Sequence, residues 1–228
     1  MKKISILIPV YNEISTLEEI VKRVEACEFC NLEKEIILID DNSTDGTKDI
    51  YPKLPHKVIY HEINQGKGAA LRDGIKAASG DIIIIQDADL EYNPKDYEPL
   101  VQMIFEGKAE VCYGSRFDDK SEIKKIMFLN LIGNKTLSFL TNILYGAKLT
   151  DMETCYKAFR AELIKNMVIN SNGFDFEPEI TAKILEKKVK FCELPISYNG
   201  RSFSEGKKIS WLDGFQAIFT LIKYKFFD

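Results

Sequence analysis

Asp87, Ala88 and Asp89 follow directly on Gln86 at the end of the apolar run Ile82 to Ile85. Residues two apart on an extended segment point the same way, so Asp87 and Asp89 are expected to face one side, with Glu91 continuing the row. Three carboxylates side by side repel one another and desolvate badly unless a cation joins them. Hard oxygen ligands suit Mg²⁺ or Mn²⁺. Such a metal keeps one or two protein carboxylates and takes its other ligands from phosphates and water, which describes a nucleotide-diphosphate site. The competing reading is an acidic turn that caps the next helix through Asp89 or Asn93.

Elements must hold these acids in place. Ile4–Pro9, Ile36–Ile39, Val58–Tyr60, Ile82–Ile85 and Val111–Tyr113 read as strands, mostly apolar throughout. Helical patterns separate them over 14–27, 66–78 and 94–105, with Ser43 or Thr44 capping a short helix toward Ile50. This alternation predicts an α/β fold whose mostly parallel sheet is covered on both faces. The second half reads as a helix over 126–145, a strand over 154–159, a helix from Ala161, a helix over 177–187, a strand over 189–198 and a terminal helix over 210–227. Ligands of open parallel sheets bind beyond the carboxyl ends of the strands. Those ends carry Pro9-Val10-Tyr11-Asn12-Glu13, Asp40-Asp41-Asn42-Ser43, Gln86 to Glu91, and Gly114-Ser115-Arg116. Four polar ends on one rim are more specific than any one alone.

The 228 residues suffice for one domain with its own core, and the formal net charge of −4 argues against nucleic acid as a partner. The five cysteines accompany no secretory signal, and a reducing cytoplasm fits them. Cys112 and Cys192 lie in apolar runs as small core residues. Cys27 and Cys30 have CxxC spacing, but no second Cys or His pair stands near them to complete a zinc site. No stretch of about 18 apolar residues marks a membrane span. His56 and His61 read as surface or structural. Gln65-Gly66-Lys67-Gly68 departs from the phosphate-loop pattern. Its glycines either admit a phosphate at a helix start or let that helix pack close to the sheet.

Ser5-Ile-Leu-Ile-Pro-Val-Tyr-Asn-Glu13, Ile39-Asp-Asp-Asn-Ser-Thr-Asp-Gly46, Asn64-Gln-Gly-Lys-Gly68 and Asp87-Ala-Asp89 occur in one order along the chain. In these motifs the chain resembles the family 2 inverting glycosyltransferases. Gly114-Ser-Arg116, Asp151-Met-Glu-Thr-Cys-Tyr-Lys157 and Arg201-Ser-Phe-Ser-Glu-Gly-Lys207 narrow the resemblance to the dolichol- or polyprenyl-phosphate sugar transferases. It implies the GT-A fold, a Rossmann-like three-layer sandwich in a single domain. Residues 1–116 would bind the nucleotide sugar. Residues 117–228 would bind the acceptor and end in an amphipathic helix.

The same resemblance places Pro9, Tyr11 and Glu13 around the nucleobase and ribose, with Ile39 and Asp41 closing the other side and Asp41 accepting from the base. It places Asp87, Ala88 and Asp89 against the donor diphosphate and its Mg²⁺ or Mn²⁺. Glu91 is a further candidate ligand at a position where this group often has Gln. Arg116, Arg201 and Lys207 are the cations expected around donor and acceptor phosphates, with Asp89, Arg116 and Arg201 central to catalysis. Asp151 and Glu153 resemble acceptor-side acids, although Thr154-Cys155-Tyr156 replaces the usual small-residue–Gly–aromatic stretch.

The implied reaction moves a hexose from a GDP-mannose or UDP-glucose type donor to a polyprenyl phosphate. A phosphate monoester is already largely dianionic near neutral pH and needs cations more than a base. A family 2 enzyme acting on a hydroxyl of a glycan or lipid-linked saccharide would instead need a base such as Asp151 or Asp175. A non-catalytic nucleotide-sugar-binding subunit would not need the acidic row. The aromatic 211–227 segment and the 127–145 helix either lie in the headgroup plane or pack on the sheet. The first alternative implies peripheral attachment at the cytoplasmic face of a membrane. The resemblance also allows a membrane-protein partner subunit.

Overall fold

The computed structural model describes residues 1–28, 32–117, 128–201 and 211–227. In chain order the elements are β1 (Lys3–Val10), α1 (Leu17–Ala26), β2 (Glu33–Asp40), β3 (Lys57–Tyr60), α2 (Lys67–Ala77), β4 (Ile82–Ile85), α3 (Tyr97–Phe105) and β5 (Val111–Ser115). There follow α4 (Phe128–Tyr145), β6 (Lys157–Arg160), α5 (Ala161–Lys165), α6 (Phe176–Glu186), β7 (Phe191–Pro195) and α7 (Trp211–Phe226). Among the described residues the sheet has seven strands, in the order β3-β2-β1-β4-β6-β5-β7. β6 runs antiparallel to both neighbours, and the other pairs are parallel. The expected α/β class and mostly parallel sheet are both present. The insertion of β6 between β4 and β5 was not legible, because strand order follows from long-range pairing.

β1, β2 and β4 form the centre. Ile4, Ile6, Leu7, Ile8, Ile37 to Ile39 and Ile82 to Ile84 are fully buried, as β-branched and leucine side chains covered by helices on both faces should be. The register sets Val10 against Asp40, so the two strand ends finish level. The loops beyond them interlock. The backbone N–H of Asn12 donates to Ser43 Oγ at 3.0 Å, and that of Thr44 to Asn12 Oδ1 at 2.7 Å. Asn12 and Asn42 adopt left-handed φ values of 53° and 62°, a conformation asparagine tolerates better than most residues. Ser43 is thus spent on the neighbouring loop and caps no helix. The segment toward Ile50 forms two 3₁₀ turns, Thr47–Asp49 and Tyr51–Lys53, with Gly46 rather than Ser43 or Thr44 at the first N-cap. Asn93 does cap its turn, accepting from the N–H of Lys95.

A second, smaller apolar cluster joins α4, α6 and α7 through Leu137, Leu149, Met152, Ala182, Ala217, Leu221 and Tyr224. Cys112 and Cys192 face each other across β5 and β7, Cys112 buried and Cys192 partly so. Cys30 lies outside the described residues.

Glu35 ties the sheet to the turn before β4. It accepts from the hydroxyl of Ser5 on β1 and from the N–H and hydroxyl of Ser79, at 2.7 and 2.8 Å. Burial opposes its charge, but these hydrogen bonds and Lys3 outweigh that and hold the carboxyl at about 2. An unfolded glutamate titrates near about 4.3. The stabilisation is therefore complete above that value and is lost as pH falls toward 2. Glu35→Gln should lower stability by about 1 kcal/mol at pH 7, allowing for solvent screening. In urea titrations the gap from wild type should close between about pH 5 and pH 2; a gap independent of pH would rule out the charged hydrogen bonds as its source.

Candidate active site

The rim beyond β1, β2 and β4 gathers most of the predicted residues. The strand ends at Ile85, and Gln86 then anchors the turn. Its side-chain amide donates to the Asp87 carbonyl at 2.7 Å, while its oxygen accepts from the hydroxyls of Tyr97 and Tyr156. Asp87 to Glu91 do not continue as an extended row, because Leu90 turns back with a left-handed φ of 64°. The acids consequently divide between two cations, Lys67 for Asp87 and Arg201 for Asp89 and Glu91. Lys67 Nζ lies 2.9 Å from Asp87 Oδ1 and 3.0 Å from Glu177 Oε1. Arg201 reaches Asp89 at 3.3 Å and Glu13 at 3.3 Å. Glu91 accepts from the Tyr198 hydroxyl at 2.7 Å and from the N–H of Arg201 at 2.8 Å.

The charges explain the titration of these groups. Burial would raise Asp87, but the charge and hydrogen bond of Lys67 outweigh it and hold the carboxyl below its ordinary value. Burial would likewise lower Lys67, and Asp87 with Glu177 keep it well above an ordinary lysine. Burial pushes Asp89 up to about 7, with Asp87 and Glu91 adding to the effect and Arg201 offsetting part of it. Asp89 is thus a carboxylate in want of positive charge. Among the described residues no three acidic, His or Cys side chains converge as a ready-made metal cage. The donor set still fits Mg²⁺ or Mn²⁺, which need only one or two carboxylates when phosphates and water complete the shell.

Other predicted residues have different surroundings. Tyr11 is 37% exposed at the rim. Pro9 is partly buried and Ala88 buried between the two aspartates. Ile39 is fully buried and packs under Gly74 of α2, so its side chain joins the core instead of walling a base pocket. Asp41 does not stand open toward a base. Its carboxylate accepts from Gln65 N–H at 2.8 Å, from Gly66 N–H at 2.7 Å, and pairs with His61 Nδ1 at 2.7 Å. His61 is buried and structural. The glycines serve close packing, against the 171–173 loop more than the sheet: a Cβ on Gly66 would meet the Asn172 carbonyl at 2.4 Å, and one on Gly68 the Ser171 carbonyl at 2.6 Å.

Arg116 departs most from its expected role. It is 6% exposed and grips Asp151 through Nε and Nη2, each at 2.7 Å, while its own N–H donates to the same carboxylate at 3.0 Å. Its guanidinium also lies 5.1 Å from the Tyr198 ring centre. A cation so enclosed supports the rim from below and is not free for a phosphate. Lys207 lies outside the described residues.

Residues 5–168 match the model of Glycosyl transferase family 2. The chain belongs to that family. Over 99% of its length it is 34% identical to an uncharacterized protein of Methanocaldococcus jannaschii, covering 93% of that protein. Over 90% of its length it is 30% identical to dolichol-phosphate mannosyltransferase of Pyrococcus furiosus, of which it spans 59%. It is also 28% identical, over 98% of its length, to the UDP-N-acetylglucosamine–dolichyl-phosphate N-acetylglucosaminyltransferase of Methanococcus voltae, covering 96% of that enzyme. Its fold is similar to that of glucosyl-3-phosphoglycerate synthase of Mycobacterium tuberculosis, solved with Mn²⁺, UDP and phosphoglyceric acid. That similarity has a TM-score of 0.75 at 19% identity and covers the whole chain and 80% of the synthase. The fold is the expected GT-A arrangement, and the protein is a glycosyltransferase.

In this family 2 chain, sequence reasoning missed Lys67, Glu177 and Lys157 as members of the charged network. Lys67 stood inside the Asn64–Gly68 motif but drew less notice than its glycines. Glu177 looked like an ordinary acid in the first turn of a helix, and Lys157 like a residue within the strand expected over 154–159. If Arg116 is structural, Arg116→Ala should cost about 3 to 5 kcal/mol by leaving Asp151 buried without its partner. Thermal or urea unfolding measures this; a variant as stable as wild type would return Arg116 to phosphate binding.

Proposed function

We propose that this glycosyltransferase transfers a hexose, with inversion, from a nucleoside-diphosphate sugar to a polyprenyl phosphate. The observation that carries this reading is Arg201. It comes from the acceptor half yet contacts Glu13, Asp89 and Glu91 of the donor rim. A guanidinium held there by acids can exchange them for phosphate oxygens as donor and acceptor bind. The names of the dolichyl-phosphate-dependent relatives agree with it.

The chemistry follows from the groups present. An oxygen of the acceptor phosphate forms a bond to the anomeric carbon as the bond from that carbon to the diphosphate breaks. Asp89 and Asp87 would hold a divalent metal, which when bound neutralises charge on the departing diphosphate. Glu91, already engaged by Tyr198 and Arg201, steadies the acceptor-side segment. Of the acids that a hydroxyl acceptor would call on as base, Asp151 is gripped by Arg116, and Asp175 accepts from the N–H of Gly173 at 3.0 Å. A phosphate acceptor brings its own ionised nucleophile and needs neither.

The acceptor's lipid tail has a matching surface. On α7, Leu212, Phe215, Phe219, Ile222 and Phe226 recur at helical spacing and are exposed, Phe219 by 67%. Ala217, Leu221 and Tyr224 face inward. On α4, Ile132, Phe139 and Ile143 are exposed as well. Scattered apolar side chains are common on surfaces, but a contiguous stripe of this kind marks a contact site. Among the described residues no helix is long and apolar enough to cross a membrane. The stripe suits shallow insertion at the cytoplasmic face of the membrane that carries the acceptor.

Asp89→Ala should abolish Mn²⁺- or Mg²⁺-dependent transfer from a panel of nucleotide sugars to a polyprenyl phosphate, with the lipid product identified by mass; retained activity would sink the metal assignment. Arg201→Ala should raise the acceptor KM more than it weakens nucleotide binding, and an equal loss of both would move Arg201 to the donor side. The double variant Phe219→Glu with Phe226→Glu should stop flotation with anionic liposomes without lowering Tm, whereas wild type floats; equal flotation of both proteins would remove α7 from the membrane contact.

A further inference from the structure

The charged cluster around Lys67 continues inward from the rim. Glu177 is 4% exposed and Thr154 fully buried, while Glu153 keeps part of its surface open. Lys157 is enclosed beside them. Its ammonium donates to the carbonyls of Met152, at 3.0 Å, and Thr154, and lies 4.6 Å from the Tyr113 ring centre. Glu177 uses Oε1 on Lys67, the same ammonium that holds Asp87.

Among the described residues, the buried side-chain oxygens that lack a hydrogen-bond partner are Glu153 Oε1, Thr154 Oγ1 and Glu177 Oε2. All of them belong to this one cluster. Buried polar atoms are normally satisfied, so a concentration of bare acceptors is informative about what is meant to meet them. Burial, with the charge of Glu177 adding to it, pushes Glu153 up to about 8. At neutral pH it therefore keeps its proton and can both donate and accept.

Ligand chemistry can be chosen by elimination. A phosphate brings few donors and much negative charge to a cluster rich in carboxyl groups. A free cation would meet the ammonium groups of Lys67 and Lys157. A sugar ring brings several hydroxyl donors and no charge, and a hydroxyl that donates to a carboxylate oxygen makes a short, strong hydrogen bond. Lys67 fixes the cluster directly beside Asp87, where the donor diphosphate is proposed to lie.

We propose that Glu153, Thr154 and Glu177 receive hydroxyl groups of the transferred hexose and set which sugar donor the enzyme uses. This rests on the donor reading given above. It assigns specificity to a group of residues separate from the Asp87 and Asp89 pair. The nucleoside diphosphate is bound elsewhere on the rim, so the two contributions can be measured apart.

The test is calorimetric titration, with Mn²⁺ present, of wild type, Glu153→Gln, Thr154→Val and Glu177→Gln with UDP, UDP-glucose, UDP-galactose, GDP and GDP-mannose. Each variant should bind the nucleotide sugar favoured by wild type about tenfold more weakly, the loss of roughly one hydrogen bond to a charged or polar partner. Affinity for the parent nucleoside diphosphate should stay within about twofold, and discrimination between the epimeric UDP sugars should narrow. Thr154→Val keeps shape and charge unchanged, so it reports even if Glu177→Gln fails to fold. Unchanged nucleotide-sugar affinity in Thr154→Val and Glu153→Gln overturns the proposal and leaves the cluster to buried water. Wild type that binds no nucleoside diphosphate overturns the donor reading itself, and this inference with it.

Discussion

One buried ammonium group holds the two halves of the site together. Lys67 stands at the start of α2, between Asp87 from the end of β4 and Glu177 from the first turn of α6. A lysine enclosed this far is tolerable only because two carboxylates compensate it, and breaking such an arrangement leaves uncompensated charge in a poorly solvated place. Gly66 and Gly68 are required by the same contact, since any side chain there would strike the 171–173 loop that leads into α6. The Asp41 carboxylate then fastens the backbone of Gln65 and Gly66 from the side of β2. Donor rim and acceptor half are thus joined through one turn.

The acids of the rim divide between this inner cation and an outer one. Asp87 belongs to Lys67 and is held ionised. Asp89 lies further out, raised by burial and by its acidic neighbours, with Arg201 as its nearest cation among the described residues. The difference matters for chemistry. An acid kept ionised by a fixed cation presents its charge in place, while one that is short of positive charge is ready to take a new cation. Arg116, by contrast, spends its whole fork on Asp151 and so stabilises the floor on which Tyr198 and Glu91 rest.

The second apolar cluster gives the outer helices their orientation. Ala217, Leu221 and Tyr224 turn one face of α7 against α4 and α6, which leaves the phenylalanine stripe outside. An amphipathic helix normally buries its apolar face. This one is apolar on both faces, and its inner face packs against α4 and α6.

The strands of the first half, their order along the chain and the chemistry of their ends were determined by the sequence by itself. Runs such as Ile82–Ile85 and Ile36–Ile39 are local signals of buried strands, and polar residues that interrupt them must lie where the strands stop. The assignment of partners was decided only in the tertiary structure. Arg116 and Asp151 are 35 residues apart, and Arg201 and Glu13 are 188 apart. No spacing rule reaches so far. Placing β6 between β4 and β5 brings Asp151 to Lys157 beneath the rim, and the turn through Leu90, with its left-handed φ, sets Asp89 and Glu91 around Arg201. Asp87-Ala88-Asp89 was visible from its residue types because a pair of acids at a strand end has few chemical uses. Which cation each acid holds depends on how charges are enclosed together, and burial is a property of the folded chain.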